Sequence, residues 1–190
     1  SFSGASGNKF NVFGFHNRDQ VNYSALSEYK WQQSGGGLNF LLAPTNSPIY
    51  IKGNLNVSNY AIGLEEEGLA GRSSEITGFD LGFDFSYFLK NDGEIDYGIE
   101  ISGFSTDFST FNSVGRKVEQ VNFSFQAGAY VLYRWVKKFF VLEPSVRFQY
   151  YAALSAPRLE PRLRFKINAA KRFRIKGAVG MYSQNFTAAT

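Results

Sequence analysis

Apolar and polar side chains alternate along two arms of the sequence, 78–90 and 94–103, which an Asp92-Gly93 turn separates. In the first arm the odd-numbered positions from Phe79 to Leu89 are apolar, and most of the even-numbered positions are polar or small. The second arm repeats the alternation from Ile95 to Ile101. A period of two predicts strands with one apolar and one polar face, and Asp-Gly between such runs predicts a hairpin.

The length of the first arm indicates the surroundings of this hairpin. Strands of soluble proteins usually have about 5–6 residues, whereas 78–90, when tilted, would span about 30 Å, enough to cross the hydrocarbon layer. A sheet survives in lipid only if it closes, because open edges leave backbone groups unpaired. The hairpin therefore predicts a transmembrane β-barrel. A large soluble β-sandwich or lipocalin-like barrel is the alternative.

The same alternation predicts about nine antiparallel strands in simple up-and-down order. They are expected at 8–17, 29–43, 49–64, 78–90, 94–103, 118–135, 140–150, 158–167 and 173–181. Short connections are predicted at 44–48, 91–93, 136–138 and 169–172, and long loops at 18–27, 65–74 and 104–117. Because outer-membrane barrels have short periplasmic turns and long outer loops, the short connections are expected on the periplasmic side.

Several positions depart from the alternation. Gly35-Gly36-Gly37 predicts a bulge or a tight bend of the wall. The apolar phase slips between Val12 and Phe13, which predicts a bulge or a change of surroundings, and it reverses after Asn59. Pro144 and Pro161 lie on apolar stripes, where proline cannot donate to the ladder, so each is expected at a bulge or outside the fully paired zone.

The two phases assign side chains to the two surfaces of the barrel wall. The lipid-facing positions are predicted to be Phe79, Leu81, Phe83, Phe85, Tyr87, Ile99, Ile101, Phe123, Phe125 and Val131. An interfacial aromatic belt is predicted at Trp31, Tyr97, Tyr133 and Trp135. The lumen-facing positions are predicted to be Asp80, Asp84, Glu100, Arg147, Arg162, Arg164, Lys166, Arg174 and Lys176.

Charges of both signs on the inner face favour a wide barrel. An eight-stranded barrel has an interior just wide enough for its own side chains, whereas a wide barrel can hold water or a plug. The inner face is therefore expected to grip an internal plug or to line a solute path. A solvated wall without a selective role remains equally open.

Composition narrows the function classes further. Without cysteine the chain has no disulfide framework and no thiolate metal site. With one histidine and no nucleophile–base spacing, acid–base and covalent catalysis have little to use, so we expect no enzyme and no cofactor. The basic residues alternate with apolar ones and are interrupted by acids, which argues against nucleic-acid binding. No apolar run is long enough for a membrane-spanning helix.

Residues 139–185 carry a family resemblance. Glu143-Pro144 and Pro161-Arg162 stand in strand starts, and the strand Phe173-Arg174-Ile175-Lys176-Gly177 follows. These segments resemble the barrel of TonB-dependent outer-membrane receptors of the Bacteroidetes type. The resemblance implies a 22-stranded barrel with an N-terminal plug in the bacterial outer membrane, importing a bound solute with energy from the inner-membrane TonB complex. Outer-membrane lipid, the plug of the same protein and the TonB complex are the implied partners, with a surface lipoprotein as an optional one.

The sequence also lacks parts of that family pattern. No plug, no energy-coupling box and no final strand with a terminal aromatic residue are found, and 185–190 does not continue the alternation. An odd strand number near nine does not suit a closed bacterial barrel. Residues 1–190 are therefore expected to form one partial barrel domain. The alternative function is a barrel that does not transport and serves as a scaffold in a surface or secretion complex.

Overall fold

In the part of the chain that the structure describes, ten strands form one antiparallel sheet in which each strand pairs with the next strand of the sequence. The computed structural model describes residues 2–4, 7–24, 27–66, 69–90, 92–112, 114–170 and 173–183. The strands are β1 (Phe2–Ser3), β2 (Lys9–Ser24), β3 (Ser27–Leu42), β4 (Ile49–Glu66), β5 (Leu69–Phe88), β6 (Glu94–Phe111), β7 (Lys117–Val136), β8 (Phe140–Tyr151), β9 (Ala156–Ala170) and β10 (Phe173–Gly180). Since β1 has two residues, nine long strands make up the sheet, and the predicted up-and-down architecture is confirmed.

The sheet is not closed within the described residues, because its linear order ends at β1 on one side and β10 on the other. A single turn of 3-10 helix, Ala152–Leu154, joins β8 to β9. No helix in the described part of the chain is long and apolar enough to span a membrane.

The predicted short connections are present where the structure describes them. Ser47 donates its N–H to the Pro44 carbonyl at 3.2 Å, and Lys137 donates to the Phe140 carbonyl at 2.8 Å. Asn46 and Asp92 adopt positive φ angles of 66° and 60°, which short turns often require. Asn91 of the predicted turn 91–93 and 171–172 of the predicted turn 169–172 lie outside the described residues.

The three predicted long loops are wrong. Most of 18–27 belongs to β2 and β3, most of 65–74 to β4 and β5, and most of 104–117 to β6 and β7. Ladder pairing continues almost to the tips, for example at Asn22↔Glu28, Leu64↔Arg72 and Phe111↔Lys117. The polar composition of these segments suggested loops, but β-hairpins that project into water can carry polar side chains on their strands.

Cross-strand register assigns every strand residue to one of two faces, since directly opposed residues share a face. We call these the Asp84 face and the Phe83 face, after two adjacent residues of β5. On the Phe83 face the apolar positions extend from Ile49 to Val57 in β4 and from Phe79 to Tyr87 in β5. This length agrees with the roughly 9–11 residues that a tilted strand needs to cross a bilayer.

Beyond this apolar band the polarity of the two faces reverses. In β4, β5 and β6 the next Phe83-face row is polar, with Asn59, Thr77 and Ser105, whereas the same row in β7 still holds an apolar residue, Phe123. On the Asp84 face the corresponding segments turn apolar, with Trp31 opposite Ile62. The phase changes seen in the sequence thus occur without a bulge, since the β4–β5 register stays continuous from Ile49 to Leu64. The reversal marks the end of the apolar band on the Phe83 face.

Polar pairs cover the outward side of the projecting strands. Asn59 Nδ2 donates to Glu75 Oε1 at 2.6 Å and to Thr77 Oγ1 at 2.9 Å. Lys30 Nζ lies 2.8 Å from Glu28 Oε2 and 3.0 Å from Glu65 Oε2. Hydrogen bonds to Glu28 and then to Glu65 raise the pKa of Lys30 above its ordinary value. These contacts are those of a solvated surface, which fits strands outside the bilayer.

The glycine triplet does not form a bulge. Gly35, Gly36 and Gly37 pair without interruption with both neighbouring strands. A Cβ atom on Gly37 would lie 2.7 Å from Cε1 of Phe13, and one on Gly35 would lie 2.8 Å from Cε1 of Phe15. The triplet therefore makes room for two phenyl rings from β2. The phase slip of β2 between Val12 and Phe13 is not a bulge either, because the β2–β3 register is continuous there.

Neither proline causes a bulge, because the β8–β9 register is continuous through Pro144↔Leu163 and Val146↔Pro161. On its other side, Pro144 falls in a gap of the β7–β8 ladder between Leu132↔Ser145 and Trp135↔Leu142. The Pro161 carbonyl accepts a hydrogen bond from the Met181 N–H, just past the end of β10. Both prolines therefore lie where pairing with one neighbouring strand is incomplete, which is one of the two outcomes expected from the sequence.

The sheet has almost no apolar interior. Among the described residues Tyr151 is the only large apolar side chain that is buried, whereas Phe123, Leu159 and Val179 on the Phe83 face are 66%, 63% and 66% exposed. A soluble sandwich or lipocalin-like barrel would bury such side chains in a core. Continuous exposure of an apolar band is the arrangement of a sheet in lipid.

Candidate functional site: the charged face of the sheet

All nine positions predicted to face the lumen lie on the Asp84 face. Register connects Asp84 through Gly98 and Tyr130 to Arg147, and Arg147 is opposite Glu160. The other members of the set are Asp80, Glu100, Arg162, Arg164, Lys166, Arg174 and Lys176. That this face lines a lumen remains a prediction, but the structure does bring these residues to one surface.

Hydrogen bonds tie the acidic residues of β5 to both neighbouring sides of the face. Asp80 Oδ1 accepts from the side-chain amides of Asn54 and Asn56, the second at 3.2 Å. Asp84 Oδ1 accepts from the Tyr130 hydroxyl at 2.5 Å. These contacts join β4 to β5 and, across β6, β5 to β7, so side chains of the polar face link three strands in addition to the backbone ladder.

Arginine–carboxylate pairs continue the network across β6, β7, β8 and β9. Arg147 pairs with Glu100 and also donates from Nε to Gln149 Oε1 at 3.0 Å. Glu143 lies between two arginines, with Arg134 Nε at 3.2 Å and Arg164 Nε at 3.1 Å. Three adjacent strands thus meet at one carboxylate.

Glu160 is the most deeply buried charged residue of the described part of the chain, at 3% exposed. Its Oε2 accepts from Arg162 at 2.5 Å, and its Oε1 accepts from the Ser183 N–H at 2.7 Å and from the Ser183 hydroxyl. A buried carboxylate is stable only when it is paired and hydrogen-bonded. Glu160 therefore fastens the residues after β10 to the wall.

Charge is distributed unevenly across the Asp84 face. The carboxylates of Asp80, Asp84, Asp96 and Glu100 lie on β5 and β6, whereas Arg158, Arg162, Arg164, Lys166, Arg174 and Lys176 lie on β9 and β10. Lys166 and Lys176 are directly opposite each other, and within the described chain neither forms an ion pair. The middle of the sheet, at β5 and β6, and its β10 end therefore present opposite charge to the space above the Asp84 face.

The ten positions predicted to face lipid all lie on the Phe83 face, in register from β5 to β7. Three members of the predicted belt share that face near the short turns. Tyr97 stacks on Phe85 with ring centroids 5.0 Å apart, and Trp135 meets Phe140 edge-on at 5.3 Å. Tyr133 is opposite Ile95.

Trp31 does not belong with these three. It lies on the Asp84 face, opposite Asp19 and Ile62, in the projecting part of β3. The sequence prediction grouped it by residue type, but the phase of β3 cannot be read across the glycine triplet. Trp31 is instead part of the apolar Asp84-face surface of the projecting strands.

A cavity of about 540 Å³ opens on the Asp84 face across β2 to β7. Its lining includes Phe13, Phe15, Asn56, Asp80, Phe104 and Gln126. Sequence analysis missed this cavity, although Asn56, Asp80 and Gln126 follow the polar phase of predicted strands; Phe104 lies in a segment that was predicted to be a loop. Tyr130, Asn54 and Glu143 were missed as network members too, and their only sequence signal is that they share the polar phase.

Fold and surface together define an outer-membrane β-barrel protein: long antiparallel strands in sequential order, an exposed apolar band, and a charged opposite face. Comparison with models of protein families gives no match, and comparison with curated proteins gives none at a significant level.

Solved structures do match. The chain is similar to the outer membrane transporter YddB of Escherichia coli, with a TM-score of 0.59 and 11% sequence identity over 85% of this chain and 27% of that one. It also matches the siderophore receptor PirA of Acinetobacter baumannii, with a TM-score of 0.44 and 12% identity over 91% of this chain and 33% of PirA. The translocator domain of the autotransporter NalP of Neisseria meningitidis matches with a TM-score of 0.40 and 10% identity, over 91% of this chain and 74% of that domain.

The similarity to YddB shows a shared fold, and this chain spans about a quarter of the length of YddB. YddB is an outer membrane transporter, and the exposed apolar band of this chain fits the same location, the bacterial outer membrane.

Proposed function

We propose that this chain is part of the wall of a wide outer-membrane barrel that imports a bound solute as a TonB-dependent receptor. The observation that carries the proposal is the Asp84 face, where at least eight carboxylate, guanidinium, amide and hydroxyl groups are paired across strands away from the lipid side. A narrow barrel has no room for such a surface, whereas a barrel with an aqueous or plugged interior does.

The open edges support the wide barrel. Both β2 and β10 sit at or next to an edge of the described sheet, and an unpaired edge is unstable in hydrocarbon. Further strands would pair there and close the wall. In this proposal outer-membrane lipid covers the Phe83 face, a plug of the same protein contacts the Asp84 face, and the TonB complex supplies energy. No catalysis and no nucleic-acid partner are part of it, and a surface lipoprotein would be a further partner.

Site-specific photo-crosslinking of the full-length protein in membranes tests the wall assignment without knowledge of the solute. A photo-reactive amino acid at Gln126 should crosslink to another segment of the same polypeptide, the plug. The same group at Ile99, on the Phe83 face and 49% exposed, should crosslink to lipid. Lipid adducts at both positions would overturn the assignment of the Asp84 face to the barrel interior.

Channel recording separates an importer from an open pore or a scaffold. A plugged importer in a planar bilayer should show almost no conductance until urea on the plug side unfolds the plug, after which large channels should open. Permanent conductance would indicate a pore, and lack of conductance after urea would favour the scaffold. In cells, solute accumulation should stop when a protonophore collapses the proton gradient.

A further inference from the structure

The cavity on the Asp84 face has an apolar end and an acidic centre. Phe13 and Phe15 bound it on the β2 side and Phe104 on the β6 side, while small residues form its floor, among them Ser58 and Gly78. Its volume of about 540 Å³ lies within the range of sites for small organic ligands. Ring-bearing molecules of that size would contact the phenyl groups.

Asp80 is the only charged residue among the described residues that line this cavity. Both amide donors, from Asn54 and Asn56, reach its Oδ1 atom. No hydrogen bond engages Oδ2 within the described chain, and no lysine or arginine of that part forms an ion pair with Asp80. The carboxylate therefore keeps an acceptor and an unneutralised charge for a ligand.

A neighbouring amide presents an acceptor as well. Gln126 donates from Nε2 to the Ser102 hydroxyl at 2.8 Å, and no hydrogen bond within the described chain engages its Oε1. Asn56 donates from Nδ2 to Asp80, and its Oδ1 is buried and therefore not open to the cavity. With a carboxylate and one amide oxygen open, the cavity favours ligands that bring N–H donors.

We propose that this cavity binds an organic cation, an ammonium or guanidinium group carried on an apolar or aromatic body. The charged group pairs with Asp80 and donates to the Gln126 Oε1 atom, and the phenyl rings contact the body and face the cation. An anionic ligand would meet an unpaired carboxylate, and a purely apolar one would leave the acceptors unsatisfied.

The proposal names a solute class for the proposed importer and in that respect rests on it, although binding itself needs neither energy nor a plug. Isothermal titration of the purified full-length protein in detergent is the test, with 2-phenylethylammonium as the probe and 2-phenylethanol as its neutral counterpart. The wild type should bind the ammonium compound at least tenfold more tightly than the alcohol.

The variant Asp80→Asn keeps the shape and removes the charge, so the preference should fall to below threefold. Asp96→Asn is the matched control, because Asp96 lies on the same face but outside the cavity, where it accepts from Ser86. It should retain the full preference. Equal binding of the two probes by the wild type, or an unchanged preference in Asp80→Asn, would overturn the proposal.

Loss of the Asn54–Asp80–Asn56 contacts could unfold the variant, so a second variant that leaves them in place is needed. Phe104→Leu removes the ring and keeps apolar volume; the affinity for the ammonium compound should fall about threefold to tenfold, and that for the alcohol less. Equal losses for both probes would argue against cation recognition. If binding follows the proposal but solute accumulation in cells does not depend on the proton gradient, the proposed importer function is contradicted and the proposed binding site is not.

Discussion

Tyr130 donates a hydrogen bond to Asp84 at 2.5 Å although β6 lies between their two strands. The contact exists because Gly98 stands directly between them in the same cross-strand row. A Cβ on Gly98 would lie 2.8 Å from Tyr130 Cε1 and 2.6 Å from the Phe83 carbonyl oxygen. The tyrosine ring thus lies across the glycine, and one residue without a side chain permits a link over two strand spacings.

The Tyr130–Asp84 link should therefore depend on both positions. Tyr130→Phe removes the hydrogen bond and should destabilise the folded barrel by about 1–2 kcal/mol. Gly98→Ala should cost more, about 2–3 kcal/mol, because the new methyl group meets backbone as well as the ring. Urea titration of the full-length protein in lipid measures both. A smaller loss for Gly98→Ala than for Tyr130→Phe would contradict this packing.

Arginine should distinguish the two faces of the sheet. Ile99→Arg places a charge on the Phe83 face near the middle of the apolar band and should destabilise the barrel by about 2–4 kcal/mol. Asn39→Arg, at a similar height on the Asp84 face, should change stability by less than about 1 kcal/mol. Lipid-refolding titrations provide the comparison, and equal costs would show that lipid does not cover the Phe83 face.

The glycine triplet offers an internal comparison. Gly37→Ala directs a methyl group into the Phe13 ring and should destabilise by about 1–3 kcal/mol. Gly36→Ala points to the opposite face, where the nearest atom is the Phe13 carbonyl oxygen at 3.1 Å, so its cost should be smaller. Thermal unfolding monitored by circular dichroism ranks the two variants. The reverse order would mean that the rings of β2 do not lie over β3.

The two tryptophans should report different surroundings. With Trp31→Phe the remaining Trp135 should be quenched by brominated lipid, since it lies on the Phe83 face near the short turns. With Trp135→Phe the remaining Trp31 should be quenched by aqueous acrylamide and not by the lipid. Lipid quenching of Trp31 would restore it to the interfacial belt and contradict its place on the Asp84 face.

Alternation by itself was sufficient to predict the sheet. The odd–even pattern of β5 and β6 placed Phe83, Asp84 and Glu100 on their faces before any coordinates, because side chains on a strand must alternate. The strand order followed as well, since short connections force neighbouring strands to pair antiparallel. The apolar band and the charged surface opposite it were thus determined by local sequence.

Tertiary structure decided what depends on two or more strands at once. Whether 104–117 is a loop or a projecting hairpin depends on ladder pairing between β6 and β7, which polar composition does not reveal. Trp31 was assigned to the wrong face because the three glycines do not show which positions of β3 share a face. The Tyr130–Asp84 link and the cavity around Asp80 depend on register across β2 to β7. Sequence periodicity sets the direction of each side chain, but only the lateral alignment of strands sets its neighbours.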